Sequence, residues 1–481
     1  VSIDHIGLLP VYLAAGAAIL VFLADLVVAR ATVTVVVGVV GALATAVGAV
    51  AVAPRHQAFC VDTGCSWVYD RPAQLLAVAM AALTAAVLLL SAPTLRRGEL
   101  PTGEYAFLLL ASMTGGVALA GARDLITLIV ALETLTLPLY VLVGLRRESV
   151  ASAQAAVTFL LTSVAATAIT LLGAALMYAA TGQVHLSSLA SALDVSGPGR
   201  PLAGAGLLLV LVGLVFKVAA VPAHAWAPTT YDGAPLPIAA YLSTASKLGG
   251  LFAIIYVVVG AGPAWTDVTG PAIGILAVAT LLVGTLVALR QQRMVRLLAW
   301  SSVAQAGFIL APLAALAVAP TASLIAATVA YALIYVTVEL AAFAGLISLR
   351  EPGSDGGALS DYAGSGRVAP LRSGAFAFAV VGLAGLPPAL AGLFAKVFVV
   401  RALVDARAWA VVVAVALAAI VGLAVYLRAV LPLYRSSDAA ADAAAAVVPA
   451  NPAVVVILAV ATLLAIAAGF APQLVLNLAT F

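Results

Sequence analysis

Stretches of about twenty predominantly apolar residues follow one another almost without interruption along this chain, and each is long enough to cross the hydrocarbon core of a bilayer as a helix. Apolar windows place fourteen spans near 6–29, 32–53, 73–92, 104–122, 124–145, 152–180, 203–222, 236–260, 271–289, 295–318, 321–349, 373–400, 408–431 and 452–474. Of the 481 residues 65% are hydrophobic and 9% charged. Water-soluble domains carry about 25% charged residues, so lipid must be the solvent here. The longest polar stretches, near 54–72, 350–372 and 432–451, leave no room for a separate soluble active site. The expected fold is therefore an all-α integral membrane protein of about fourteen helices. The first apolar stretch ends at Arg30 with no small-residue cleavage pattern, so it is expected to be the first helix and not a signal peptide.

An even number of spans puts both ends on one side, and arginine decides which. With both termini outside, the inner loops hold Arg30, Arg96, Arg97, Arg146, Arg147, Arg290, Arg293, Arg296, Arg350, Arg367, Arg372, Arg428 and Arg435. The outer loops hold Arg55, Arg71, Arg123, Arg200, Arg401 and Arg407. Thirteen against six favours both termini facing away from the cytoplasm. The positive charge is confined to short loops and does not imply nucleic-acid binding. Cys60 and Cys65, the only cysteines, share one such outer loop; two cysteines are too few for a metal site, and a local disulfide and two free thiols both remain open. Asp25, near the inner end of the first span, is expected to pair with Arg30.

The chain has three lysines, Lys217, Lys247 and Lys396, and all three fall inside apolar spans, while the arginines fall in or near loops. Guanidinium is a fixed charge, whereas burial lowers the pKa of an ammonium enough for it to load and release a proton. Two carboxylates also lie in spans, Glu133 and Glu339. Five ionisable groups at bilayer depth would cost about 12–17 kcal/mol, at roughly 2.5–3.5 each, which packing does not require and proton transfer does. Any one lysine could instead snorkel to the interface.

Pro222 follows Lys217 by five residues, and Pro387 and Pro388 precede Lys396. Proline breaks a helix, and broken helices at membrane depth are tolerated where they line a hydrated cavity. These are the seventh and twelfth spans, and they run in opposite directions. Paired broken segments of that kind indicate two inverted five-helix repeats around an ion path. The chain then divides into spans one to three (1–103), a first repeat (104–260), a second (271–431) and a last helix (452–481). His224, just beyond Pro222, has a side chain suited to a proton relay or to a loop hydrogen bond.

The run Phe-Lys-Val-Ala-Ala-Val-Pro-Ala-His-Ala-Trp-Ala-Pro-Thr-Thr-Tyr-Asp-Gly-Ala-Pro-Leu-Pro at 216–237, with Ser-Thr-Ala-Ser-Lys at 243–247, resembles the signature of the antiporter-like subunits of respiratory complex I, the NADH-quinone oxidoreductase. So does Gly-Leu-Pro-Pro-Ala-Leu-Ala-Gly-Leu-Phe-Ala-Lys at 385–396. Ala-Leu-Glu-Thr-Leu-Thr-Leu-Pro-Leu-Tyr-Val-Leu (131–142) is similar to the family's fifth span, and Arg-Leu-Leu-Ala-Trp-Ser-Ser-Val-Ala-Gln-Ala-Gly (296–307) to its tenth. Together the matches cover roughly spans four to thirteen. Lys396, where the M type typically has glutamate, the end of the chain after about fourteen spans without the lateral helix of the L type, and Leu-Pro-Leu-Tyr-Val-Leu after Glu133 all resemble the N type (subunit N). Three positions depart from the family: Gln305 stands where histidine is frequent, Thr158 near a frequent lysine, and Glu339 where a neutral residue is expected.

The resemblance implies a proton-translocating subunit of the bacterial plasma membrane. Glu133 and Lys217 would form a charge pair, Lys247 would pass the proton laterally, and Lys396 would load or release it, with His224, Gln305 and Glu339 as further relay candidates. It implies no cofactor and no metal in this chain: NADH, FMN, iron–sulfur clusters and quinone would be handled by other subunits. Neighbours would be the M-type and K/J-type membrane subunits, with lipid around them. The D-type component of a multisubunit (Mrp-type) cation/proton antiporter is similar in size and lysines. A non-pumping structural subunit and a solute transporter are further alternatives; the latter would need a polar cluster beyond the relay.

Overall fold

In the computed structural model, residues 3–146, 149–192, 199–260, 265–319, 321–435, 449 and 451–480 are described. Arg147, counted above among the inner arginines, lies outside them. Among the described residues thirteen helices are long and apolar enough to cross a membrane. In chain order the first are α1 (Leu9–Val28), α2 (Ala31–Ala51), α3 (Arg71–Arg96), α4 (Thr102–Gly121), α5 (Leu125–Val143) and α6 (Val150–Thr181). After the short α7 (Leu186–Ala192), α8 (Arg200–Lys217) stops at its lysine, and α9 (Trp226–Gly233) resumes beyond an irregular segment. The next span is composite: α10 (Leu236–Tyr241), a π-turn at Leu242–Ser246, and α11 (Lys247–Gly260). Then come α12 (Thr266–Ala288), α13 (Met294–Leu310) and α14 (Thr321–Leu349). A four-residue turn of helix, α15 (Ser365–Val368), precedes α16 (Pro370–Ala384) and α17 (Leu390–Asp405), two half-helices that together make one broken crossing, the twelfth in chain order and an addition to the thirteen long helices. The chain ends with α18 (Trp409–Tyr434), α19 (Pro452–Phe470) and the short α20 (Pro472–Ala479).

Capping starts several helices where the sequence supplies a side-chain oxygen. Asp70 accepts from Ala73 N at 3.0 Å, Asp124 from Thr127 N at 2.7 Å and Asn451 from Ala453 N at 3.0 Å. In lipid, helices associate by close packing, and small residues make that possible. A Cβ on Gly173 of α6 would lie 2.6 Å from the carbonyl oxygen of Gly206 on α8, so only glycine allows that crossing. The centre of the molecule is built from α10–α11, α13 and α14, whose apolar windows are 94%, 89% and 83% buried, against 22% for α1 and 33% for α18.

The polar stretch near 54–72 is not simply a loop. It forms an antiparallel hairpin of β1 (His56–Val61) and β2 (Gly64–Tyr69), with Cys60 opposite Cys65 and the two joined as a disulfide. The hairpin is anchored by Trp67 Nε1, which donates to Ala118 O at 3.0 Å, and by Tyr69, whose hydroxyl donates to Ala49 O at 2.5 Å. His185 bridges to it through Thr63 (2.9 Å) and Ser66 (3.3 Å). Its polar composition obscured the period-two pattern. At the other side of the molecule Asp232 accepts from Arg293 (2.9 Å) and Arg296 (2.8 Å), Arg293 also reaches Asp355 at 2.9 Å, and Arg146 donates to Ser354 O at 2.8 Å. Among the described residues Asp25 forms no ion pair with Arg30, contrary to expectation; instead Thr34 Oγ1 donates to it at 2.6 Å from the adjacent helix.

Candidate functional site

Three lysine centres lie in the interior, each at an irregularity of a helix. The first is at the end of α8. Lys217 is 7% exposed, and its Nζ donates to Glu133 Oε1 at 2.9 Å, Ser163 Oγ at 3.2 Å and Thr136 Oγ1 at 3.3 Å. Glu133, Thr136 and Tyr140 share one face of α5 at helical spacing. Tyr140 donates to Ser163 at 2.6 Å, and Thr167, one turn beyond Ser163 on α6, donates to Glu133 at 2.6 Å. The lysine therefore meets a carboxylate and two hydroxyls supplied by two helices. Trp226 closes the break beneath it: its Nε1 donates to Phe216 O at 3.1 Å, and its ring stacks on Phe159 with centroids 4.6 Å apart.

Lys247, 2% exposed, begins α11 directly after the π-turn. Its Nζ donates to both Ser302 O and Ser302 Oγ at 2.5 Å. Ser302 and the Tyr335 hydroxyl are 2.7 Å apart, and Tyr335 donates to Ser243 O at 2.9 Å, a carbonyl within the π-turn. Such turns in α-helices are frequent at functional sites because they re-aim backbone groups. The first and second centres adjoin. A Cβ on Gly250, one turn along from Lys247, would lie 2.8 Å from Lys217 Cβ, so glycine lets the two helices meet there.

Lys396, 9% exposed, occupies the second break. Its ammonium donates to Ala384 O, at the carbonyl end of α16, and lies 4.9 Å from the Phe308 ring centroid. Gly385 terminates that half-helix in the left-handed region (φ +77°), and a Cβ there would press on Lys396 Cδ at 2.8 Å. Gln305 stands between this centre and the last: its Nε2 donates to Leu383 O (3.0 Å) and Tyr426 OH (2.8 Å), while Tyr331 donates to its Oε1 at 2.5 Å. Tyr426 is in turn 2.7 Å from Ser301. Glu339 is fully buried on α14, and neither carboxylate oxygen has a hydrogen-bond partner among the described residues.

His224 is set apart. It is half-buried, its Nδ1 is bonded with Pro222 O at 3.1 Å, and its ring meets Trp300 edge-on. None of the three lysines is at a helix end facing water, so snorkelling does not describe them. Sequence reasoning missed the hydroxyls. Thr136, Tyr140, Ser163, Thr167, Ser301, Ser302, Tyr331, Tyr335 and Tyr426 form a polar cluster around the ionisable groups, where none was expected. The spacing of Tyr331, Tyr335 and Glu339 at successive i, i+4 positions of one span was the available signal.

Glu133, Lys217, Lys247 and Lys396 form a series, here called the axis, whose two end residues both approach the molecular surface. Glu133, with 22% of its side chain exposed, interrupts an outward apolar stripe of Ile126, Val130, Leu137 and Val141. Lys396 lies at the floor of an open groove walled by Val397, Val400, Val404, Ile420 and Leu423.

Residues 122–422 match the family described as NADH:quinone oxidoreductase/Mrp antiporter, TM. The chain is 56% identical to NADH-quinone oxidoreductase subunit N of Salinispora tropica, with 99% of each protein covered. The chain belongs to the NADH-quinone oxidoreductase subunit N family. A second subunit N, subunit N 2 of Streptomyces griseus, is 44% identical over 92% of this chain and 84% of its own length. Among solved structures, respiratory complex I from Thermus thermophilus with bound aureothin contains a chain that matches with TM-score 0.80 and 29% identity, covering 97% of this chain and 98% of that one. A chain of the Mrp complex from Dietzia sp. matches with TM-score 0.84 at 22% identity over 98% and 96%, and shares the fold. The subunit is thus a multi-pass membrane protein of a respiratory complex, an antiporter-like component of a translocase.

Proposed function

We propose that this subunit moves protons through Glu133, Lys217, Lys247 and Lys396, with Gln305 and the surrounding hydroxyls as connecting groups and His224 as a mouth residue. The observation that carries the reading is the Glu133–Lys217 contact of 2.9 Å at the end of a broken helix, continued by two further buried lysines. Hydroxyls can accept one proton and donate another, so the Ser163, Ser302 and Tyr335 contacts suit transfer between the charged groups. Energy would come from quinone reduction in partner subunits, which would also hold NADH, FMN and the iron–sulfur clusters. The exposed edge of Glu133 and the open groove at Lys396 suit docking of neighbouring membrane subunits, K/J-type and M-type.

The division into two five-helix units, 104–260 and 271–431, is supported by the like position of the breaks: in each unit the fourth crossing is interrupted, at Lys217–Ala225 and at Gly385–Ala389. Residence in the bacterial plasma membrane with both termini away from the cytoplasm rests on the thirteen-to-six arginine distribution. The test is proton pumping against NADH oxidation in membrane vesicles. Lys217→Met should abolish most pumping while the subunit content of the complex is retained; native pumping in that variant would reject the relay.

A further inference from the structure

Glu339 departs from the surrounding chemistry in a specific way. The other intramembrane carboxylate, Glu133, receives hydrogen bonds from Lys217 and Thr167. Glu339 is wholly enclosed in α14, and both its oxygens lack a donor among the described residues. A carboxylate without donors in such a place is strongly disfavoured as an anion and acceptable as a neutral acid. Yet a cation lies close by through hydroxyls: Lys247 Nζ donates to Ser302 Oγ at 2.5 Å, Ser302 Oγ is 2.7 Å from the Tyr335 hydroxyl, and Tyr335 stands one turn before Glu339 on the same face of α14.

Its helix supplies an approach. Thr328, Tyr331, Tyr335 and Glu339 fall at intervals of three, four and four residues, so they lie along one face of an otherwise apolar span. Eleven residues of rise make that stripe about 16 Å long, roughly half of the ~30 Å hydrocarbon core. Each tyrosine is bonded into a lysine centre. Tyr331 donates to Gln305, beside the second break, and Tyr335 is joined through Ser302 to Lys247. The stripe therefore runs along a membrane-spanning helix and touches groups of both the Lys247 and the Lys396 centres.

We propose that Glu339 is a proton-loading carboxylate that shares a proton with Lys247, making the central site of the relay a carboxylate–amine pair served by the polar stripe of α14. The inference rests on the relay reading given above and adds a proton-holding group to it. In the transfer, an N–H bond of the Lys247 ammonium breaks and an O–H bond forms on Glu339. Ser302 and Tyr335 can carry the proton by each accepting one and donating another. The pair passes from two opposite charges to two neutral groups, and its net charge stays zero. A further proton arriving on Lys247 then leaves the pair with one positive charge. That form is what a neighbouring lysine centre can sense and discharge.

The experiment uses the assembled complex in vesicles, with glutamate labelled by carbon-13, and reads NADH-driven infrared difference spectra together with protons pumped per NADH oxidised. The expected result is a protonated-carboxyl band that shifts with the label and is lost in Glu339→Gln, with a reduced proton yield in that variant. A wild-type spectrum with no such band, or a native proton yield in Glu339→Gln, overturns the proposal. Should Glu339→Gln fail to assemble, Glu339→Asp carries the test: a displaced band supports it, and an unchanged band rejects it. Lys217→Met and Lys396→Met run in parallel separate the two readings. If they pump normally, the relay itself is wrong. If they fail while Glu339→Gln pumps normally, only the role of Glu339 is wrong.

Discussion

Lys247→Arg separates a titrating group from a fixed charge, and the structure makes the comparison sharp. Lys247 is enclosed, with its Nζ held by two oxygens of one residue, Ser302 O and Oγ, both at 2.5 Å. An arginine keeps the positive charge and offers more donors to the same oxygens. What changes is the ease of losing a proton. A guanidinium ordinarily holds its proton at least about two powers of ten more tightly than an ammonium, which is about 2.7 kcal/mol or a factor of about a hundred or more in rate if deprotonation lies on the path. The larger head also crowds the pocket, at a cost of about 1–3 kcal/mol, which would show in assembly and not selectively in transfer. Lys247→Met supplies the other control: it removes the charge and leaves Ser302 without its donor, about 1–3 kcal/mol. Proton pumping is measured alongside NADH oxidation in vesicles, with subunit content as the check on assembly. We expect both variants to assemble and both to lose nearly all pumping through this subunit. Native pumping by Lys247→Arg would mean that a fixed charge suffices, and the argument from lysine usage would be wrong at this site.

Three further predictions concern the two polar surfaces. Burial pushes the Asp355 carboxyl up, but hydrogen bonds from Arg293 and the Gly357 amide, with the charges of Arg293 and Arg146, more than offset this and hold it below 3.8. A depressed carboxyl stabilises the folded form above the unfolded pKa, so the contribution of this loop is complete above about pH 4 and lost as pH falls further; protection of the Gly357 amide relative to its intrinsic exchange rate should fall there, and Asp355→Asn should remove that dependence. Reducing the Cys60–Cys65 disulfide should loosen the hairpin by about 2 kcal/mol, from the closure entropy of so short a loop, visible as faster exchange of the strand amides; unchanged exchange would show that Trp67 and Tyr69 hold it alone. A C-terminal reporter that is active only in the cytoplasm should stay silent, and a bright signal would reverse the orientation inferred from arginine.

What could be read from the sequence was whatever lipid makes expensive. Runs of twenty apolar residues can do little but span, and thus most crossings were legible with small errors at their ends. Proline inside a span is as plain: both broken crossings fall where Pro222 and Pro387–Pro388 stand. Buried lysines stood out for the same reason. Groups that are cheap in lipid were invisible. A serine or threonine in a helix can bond its own preceding carbonyl, so Thr136, Ser163 and Ser302 give no one-dimensional sign that they face a lysine. The hairpin was hidden because its strands are short and polar, and its Trp67 and Tyr69 are buried by helices distant in sequence.

The three lysines also differ in what balances them, and that difference orders the axis. Lys217 has the Glu133 carboxyl in direct contact at 2.9 Å. Lys247 has hydroxyl and carbonyl oxygens at 2.5 Å and the Glu339 carboxyl within electrostatic reach. Lys396 is bonded to the carbonyl end of α16, which offers only about half a charge, and it borders an open groove. Charge compensation thus weakens from α5 towards α17. A proton placed on Lys396 has the least opposing charge within the subunit, so its occupancy is the one most readily altered by whatever occupies the groove. Conversely, Glu133 at the other end already has a partner and an exposed edge, so a charge approaching from that side acts first on the Glu133–Lys217 contact. In the relay proposed above, coupling to neighbouring subunits would then require no large rearrangement of the buried helices: moving a charge near either end would change the balance at the adjacent lysine, and the hydroxyls between the centres would pass the effect inward.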